Sequence, residues 1–392
     1  MGMETISWLA SQPLLIFVFM PLYVPYLVLI ALFGFISIQG NKSIKQEELL
    51  DDYAHPNQGH PYTQSNSWKL FLFAFIVIAT FTCFRHISSP AIDEYAYRNR
   101  WNRFSNLTLF EVFETHHEYI FESIYWLSTR IFNTDQGGLC LTSSITIFCL
   151  LWALKRDSLD FSYGIVLLLA TGLIYNTLNG IQHYFTTAIY FMFYPCLFQQ
   201  RWKQYFILII ACMLMHQSAI FILLFYFSPQ FKLNNNRNII IATLGVAILL
   251  GLLYNYVSFF ALFFKTFETY AEINNMSRHG VKWITILISA AAAFLVIKFK
   301  DRIPSQDKVT TNAAKMVLIH AGIMVASSID TYIARFAIFT EPFIVLFLSR
   351  ISLCFPDKRK YIYLKILTII LYSIVIILRM RFDRYYWNIK LW

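Results

Sequence analysis

Tyr205–Phe227 reads YFILIIACMLMHQSAIFILLFYF, an apolar run of membrane-spanning length interrupted in its middle by Met215-His216-Gln217-Ser218. A helix needs about 20 mostly apolar residues to cross the hydrocarbon core, whereas pieces of about 10 to 14 behave as re-entrant or interfacial elements. The polar break leaves two halves of the shorter kind. Two readings follow: one crossing with a polar middle, or a dip that enters the bilayer and returns. The basic loops at Lys155-Arg156, Arg201–Lys203, Lys298–Lys315 and Arg350–Lys365 share one face only if the segment returns, and cytoplasmic loops collect Lys and Arg. The dip is the favoured reading.

Outward from this segment the chain is a series of similar apolar runs. They lie near Leu14–Ile38, Trp68–Phe84, Leu139–Leu154, Phe161–Tyr175, Gly180–Phe198, Ile239–Phe260, Val281–Ile297, Ala314–Ser327, Ile333–Leu353 and Tyr361–Leu378. With 392 residues, 57% hydrophobic and 14% charged, the chain carries more apolar surface than a soluble core could bury. The expected fold is all-α: a polytopic integral membrane protein with about 10 to 12 transmembrane or re-entrant helices. Residues 1–392 read as a single polytopic domain, because no polar stretch is long enough for a separate soluble one. The first run lacks a basic leader and a small-residue cleavage site, so it reads as a retained helix.

Residues 85–133 form the longest charged interruption, an extracytoplasmic loop on the favoured topology. Within it, His116–Phe132 (HHEYIFESIYWLSTRIF) alternates charges with aromatics at helical spacing. That pattern suits an amphipathic helix lying along the membrane surface.

Six cysteines fall in apolar stretches with no Cys-x-x-Cys pair and no His at ligand spacing, so they read as small core residues, and neither a metal nor another cofactor is expected. The net charge of +10 comes from Lys and Arg near membrane ends, where orientation and lipid phosphates account for it and nucleic acid does not. There is no Walker loop, Gly-rich dinucleotide turn, His-Glu-x-x-His or Gly-x-Ser-x-Gly, which leaves soluble-nucleotide and zinc-hydrolase chemistry unsupported.

An ionisable group placed in a bilayer costs roughly 2.5 to 3.5 kcal/mol on insertion scales, so such groups mark cavities and sites. Arg85, Asp93, Glu94, Tyr97, Arg98 and Arg100 crowd one short stretch, followed by Glu118 and Glu122, and His216, Arg278 and Arg335 stand at the ends or breaks of later spans. Guanidinium groups hold a diphosphate through paired donors without a metal, and carboxylates in the same cleft take a hydroxyl proton or hold sugar hydroxyls. A plainer reading is an amphipathic loop whose ion pairs sit among lipid headgroups, with Arg278 and Arg335 snorkelling to the interface and Asp330 pairing with Arg335. His216, flanked by apolar residues, is a candidate base or hydroxyl-orienting group. Gln182-His183 heads another span, and His183 reads as a headgroup or cavity residue.

The order of these features resembles the EpsG-like, Wzy-type bacterial polysaccharide polymerases. The features are Arg85 with Asp93-Glu94, Tyr97, the Glu-bearing helix ending in Tyr125-Trp126, Asn179-Gly-Ile-Gln182-His183, Arg201-Trp-Lys203 before the Met-His216-Gln-Ser218 break, and Ala334-Arg335-Phe. The likeness runs from about residue 80 to 350, with Gln182-His183 standing where the pattern has Arg-Gln. It implies a GT-C-like glycosyltransferase architecture in the bacterial inner membrane and a role in O-antigen or lipopolysaccharide biosynthesis. The reaction implied joins undecaprenyl-diphosphate-linked oligosaccharides at the outer face, without a metal, with membrane lipids and a chain-length regulator as further partners. On that implication Arg85, Arg98, Arg278 and Arg335 hold the diphosphate. Asp93 or Glu94 ranks first as base and His216 second, and Tyr97, Glu118 and Glu122 bind sugar. Two other functions compete: a flippase or transporter of lipid-linked sugars, and a membrane acyltransferase acting on surface glycans. The gathering of charge towards one face disfavours the transporter, whose groups line a whole crossing path.

Overall fold

The computed structural model describes residues 23–40, 61–83, 85–86, 92–233, 235, 239, 243–246, 248, 283–304, 306–328, 333–355, 357–383 and 386–387. The described chain is helical throughout apart from one two-residue pairing. In order it forms α1 (Tyr23–Gly40), α2 (Pro61–Cys83), β1 (Arg85–His86), α3 (Ile92–Phe104), α4 (Leu109–Thr115), α5 (Tyr119–Ile131) and α6 (Asp135–Asp157). Then come α7 (Phe161–Ala170), α8 (Leu173–Thr177), α9 (Ile181–Met192), α10 (Pro195–Phe198), α11 (Trp202–Met213) and a 3-10 helix over Gln217–Gln230. The last elements are α12 (Trp283–Phe299), α13 (Lys308–Ala326), α14 (Ala334–Ala337), α15 (Glu341–Arg350), α16 (Lys358–Asp383) and β2 (Tyr386–Trp387). Four described segments, Asp135–Asp157, Lys308–Ala326, Ala334–Cys354 and Arg359–Leu378, are long and apolar enough to cross a membrane. The protein is an all-α polytopic membrane protein.

Most of the expected spans appear as helices, with two differences. The Phe161–Tyr175 run is broken after α7, where Gly172 takes φ +81°, a left-handed conformation that favours glycine; a Cβ there would also lie 2.5 Å from Ile376 Cδ1. Residues 92–115, expected as polar loop, instead fold into α3 and α4, and the amphipathic helix begins at Tyr119, with His116-His117-Glu118 as its linker. The start of α4 is closed by a capping box in which Thr108 Oγ1 accepts from Glu111 N and the Glu111 carboxylate accepts from Thr108 N, satisfying donors that a helix start leaves open. Most of the Ile239–Phe260 run, and residues 14–22 of the first run, lie outside the described residues.

Tyr205–Phe227 follows the favoured reading. α11 and the 3-10 helix pack side by side as a hairpin with His216 at its tip. Tyr205 Oη donates to Ile222 O at 2.5 Å and Gln200 Nε2 donates to Tyr226 O at 3.2 Å, so the chain returns to the level at which it started. This is the geometry of the dip.

The bundle has two polar ends. At one, Arg350 meets Asp307 through two contacts of 3.1 Å and donates to Thr310 Oγ1 at 2.7 Å, while Lys365 Nζ sits 2.6 Å from Asp160 Oδ2 and 3.0 Å from Ser37 O. These charges are almost fully enclosed, and they are tolerated because each is paired. At the other end α3, α4 and α5 form a cap. Its own small core of Trp101, Phe104, Val112, Phe121 and Tyr125 packs on Leu139 of α6, Ile181 and Phe185 of α9, and Met215 at the hairpin tip. The tail returns to this end too, since β2 pairs antiparallel with β1, Arg85 opposite Trp387 and His86 opposite Tyr386.

Candidate active site

Tyr97, Arg100, Trp101 and Phe104 recur at the i, i+3, i+4, i+7 spacing that puts residues on one face of a helix, and this face of α3 turns towards α5 and the bundle. Tyr97 meets Phe121 and Tyr125 edge-on, with ring centroids 5.9 and 5.8 Å apart, and Tyr125 Oη donates to Tyr97 O at 2.9 Å. The cap approaches α6 closely at Gly138, where a Cβ would lie 2.8 Å from Trp101 Cδ1 and 2.9 Å from Tyr125 Cε2. Arg98 faces another way and binds the start of α6, 2.8 Å from Asp135 Oδ1 and 2.7 Å from Gln136 Oε1.

Glu118, in the linker between α4 and α5, reaches the hairpin tip. Its Oε1 lies 2.8 Å from His216 Nδ1 and accepts from the Gln217 backbone N–H at 3.1 Å, while Oε2 accepts from Gln182 Nε2. Burial alone would raise this carboxyl; the hydrogen bond and charge of His216, with the Gln217 and Gln182 donors, outweigh it and hold Glu118 below the ordinary range. An ionised carboxylate can only accept, so the proton between the pair belongs to His216 Nδ1 and the other ring nitrogen is the one that can take a further proton.

Gln182, from the first turn of α9, ties this pair to the cap. Its Nε2 also donates to Met215 O at 2.7 Å, and its Oε1 accepts from Tyr97 Oη at 3.2 Å and Arg100 Nη1 at 3.3 Å. A backbone bond of 2.9 Å from Ile120 N to Leu214 O fastens cap to hairpin. Arg100 Nη1 lies 2.9 Å from Glu122 Oε1. The site is enclosed, and burial pushes the Glu122 carboxyl up to about 7, with Arg100 opposing and Glu118 adding to the rise. Burial lowers Arg100 less than Glu122 and its neighbours raise it, so it stays charged.

The next two residues of α9 point elsewhere. The His183 ring lies 4.7 Å from the His216 ring and 4.6 Å from Phe339, with Arg335 within electrostatic reach. Tyr184 Oη donates to Glu341 Oε2 at 2.7 Å, and Asn176 Nδ2 donates to Glu341 Oε1 at 2.7 Å.

Of the candidates named from sequence, Tyr97, Glu118 and His216 converge on one network, and Glu122 joins it through Arg100. Arg98 is engaged with α6. Arg335 is exposed and lies beside His183. The side chains of Arg85, Asp93 and Glu94, and all of Arg278, lie outside the described residues. Arg100 was named among the crowded charges and Gln182 at the head of its span, neither with a role; Tyr184, Asn176 and Glu341 were not among the candidates. For Arg100 the signal was present, since helical spacing from Tyr97 selects it over Arg98; for Glu341 and Asn176 it was not, since 165 residues separate them. The arrangement can remove a proton from a hydroxyl at His216 and steady an anion beside Arg100 and Arg335. No curated protein and no solved structure matches the chain. A family model matches residues 68–389, nearly all of the described bundle and cap, and the chain belongs to the EpsG family, a family of Wzy-type polysaccharide polymerase-like proteins.

Proposed function

We propose that the protein is a membrane glycosyltransferase that lengthens polyprenyl-diphosphate-linked oligosaccharides at the outer face of the cytoplasmic membrane. The observation that carries this reading is the Glu118–His216 pair, held at 2.8 Å under an amphipathic cap. His216 takes the proton of the acceptor hydroxyl as that oxygen attacks the anomeric carbon of the donor. Glu118, kept ionised, steadies the imidazolium that forms, as an oriented carboxylate does for a base. The diphosphate leaves with both electrons of the broken bond, and fixed guanidinium donors stabilise that charge more in the transition state than before it. Arg335 is the described candidate for this role; of the other three arginines assigned to it from sequence, Arg85 and Arg278 remain in the proposal, while Arg98 is engaged by Asp135 and Gln136. Glu118 thereby moves from holding sugar to orienting the base, and His216 stands ahead of Asp93 and Glu94.

The same His–carboxylate pair favours a second reading, acyl transfer to a surface glycan. The test is the full chain in liposomes with lipid-linked oligosaccharide extracted from the host bacterium. A ladder of longer glycans is expected, and Glu118→Gln and His216→Gln should each slow it by a factor of about 100 to 10,000, the usual worth of a positioned base. Undiminished ladders in both variants would overturn the proposal, and acyl transfer from a labelled thioester without any ladder would replace it.

A further inference from the structure

The first turn of α9 sends three consecutive side chains to three places. Gln182 binds Glu118, Tyr97 and Arg100; His183 packs beside His216; Tyr184 binds Glu341. The polar surface thus continues past the catalytic pair into a second cluster built from α8, α9 and α15. Two of its atoms have no partner among the described residues. Asn176 Oδ1 and His183 Nε2 are both sealed from solvent and unbonded, and His183 is only 7% exposed. An enclosed polar atom without a partner destabilises the fold, and a ligand that supplies the missing bond relieves that cost. Asn176 Oδ1 can only accept. The Glu341 carboxylate and the Tyr184 hydroxyl also accept, so the cluster calls for a molecule with several donors in a row. Sugar hydroxyls have that character; a phosphate does not.

We propose that Asn176, Tyr184 and Glu341 form a second carbohydrate subsite, separated from the Glu118–Arg100 side by His183, and that His183 Nε2 bonds to a sugar lying across the divide. This rests on the glycan-lengthening reading and deepens it: joining two glycans requires two sugars to be held at once, one on each side of His216. The cluster holds one and the cap side the other.

The probe is the repeat-unit oligosaccharide released from the host's lipid carrier by mild acid, titrated into the full chain in nanodiscs. Loss of hydrogen bonds to a charged group predicts binding weaker by about tenfold or more in Glu341→Gln, and by about fivefold in Asn176→Ala, with melting temperatures unchanged. Glu118→Gln should retain binding while losing lengthening. Equal binding by wild type, Glu341→Gln and Asn176→Ala would overturn the subsite and leave the proposed function intact. Weaker binding matched by a lower melting temperature in both variants would also overturn it, since the cluster would then be structural. Full lengthening by Glu118→Gln would overturn the catalytic reading alone.

Discussion

Glu122 offers the sharpest test of the cap's electrostatics. Its side chain is 1% exposed, lies 2.9 Å from Arg100 and has its carboxyl raised from 4.5 to about 7 by burial. The folded cap therefore binds the proton more tightly than the unfolded chain does. The stability this supplies is complete below the ordinary carboxylate range and is lost as pH rises through about 7. Between about pH 6 and pH 8 the loss comes to about 1.3 kcal/mol, an increase of about ninefold in the population of opened cap. Hydrogen exchange of the α5 amides in nanodiscs, corrected for the intrinsic rise of exchange with pH, reads this directly. Glu122→Gln, which mimics the protonated form, should remove most of the dependence. His116 Nδ1 lies 3.6 Å from Glu122 Oε1, and Arg103 and Glu118 also act on the group, so His116→Gln is the control and should keep a falling stability. A cap whose protection is flat between these pH values, or rises, would refute the reasoning.

Two further outcomes test the packing. Gly138→Ala should loosen the cap by about 1 to 3 kcal/mol through overpacking against Trp101 and Tyr125, seen as faster exchange in α3 and α5 with the spans unchanged. Asp307→Asn should lower the melting temperature of the whole bundle, since leaving Arg350 enclosed without its partner costs about 3 to 5 kcal/mol; a melt equal to wild type would show that the pair is dispensable.

How far the sequence reveals this protein depends on the range of the forces involved. Spans such as Asp135–Asp157 are legible because hydropathy over one helix decides them. The hairpin is legible because His216-Gln217-Ser218 interrupts an apolar run locally. α3 is not, because its composition is polar and its apolar face of Tyr97, Trp101 and Phe104 makes sense only beneath α5. The site is the least legible part. Glu118 and His216 stand 98 residues apart, and nothing near either one indicates the other; their charge and apolar surroundings named each one singly, and the geometry supplied the pairing. Arg98 shows the opposite failure, a residue chosen for its charge whose partner, Asp135, lies at the start of the following span.

The hairpin has a topological consequence. Because its two ends lie side by side, the chain leaves the segment on the side from which it entered, and every later loop keeps its orientation whatever happens at the tip. Shortening or lengthening both arms together by a turn would raise or lower the imidazole without inverting anything downstream. The depth of His216 is thus uncoupled from the orientation of the rest of the bundle.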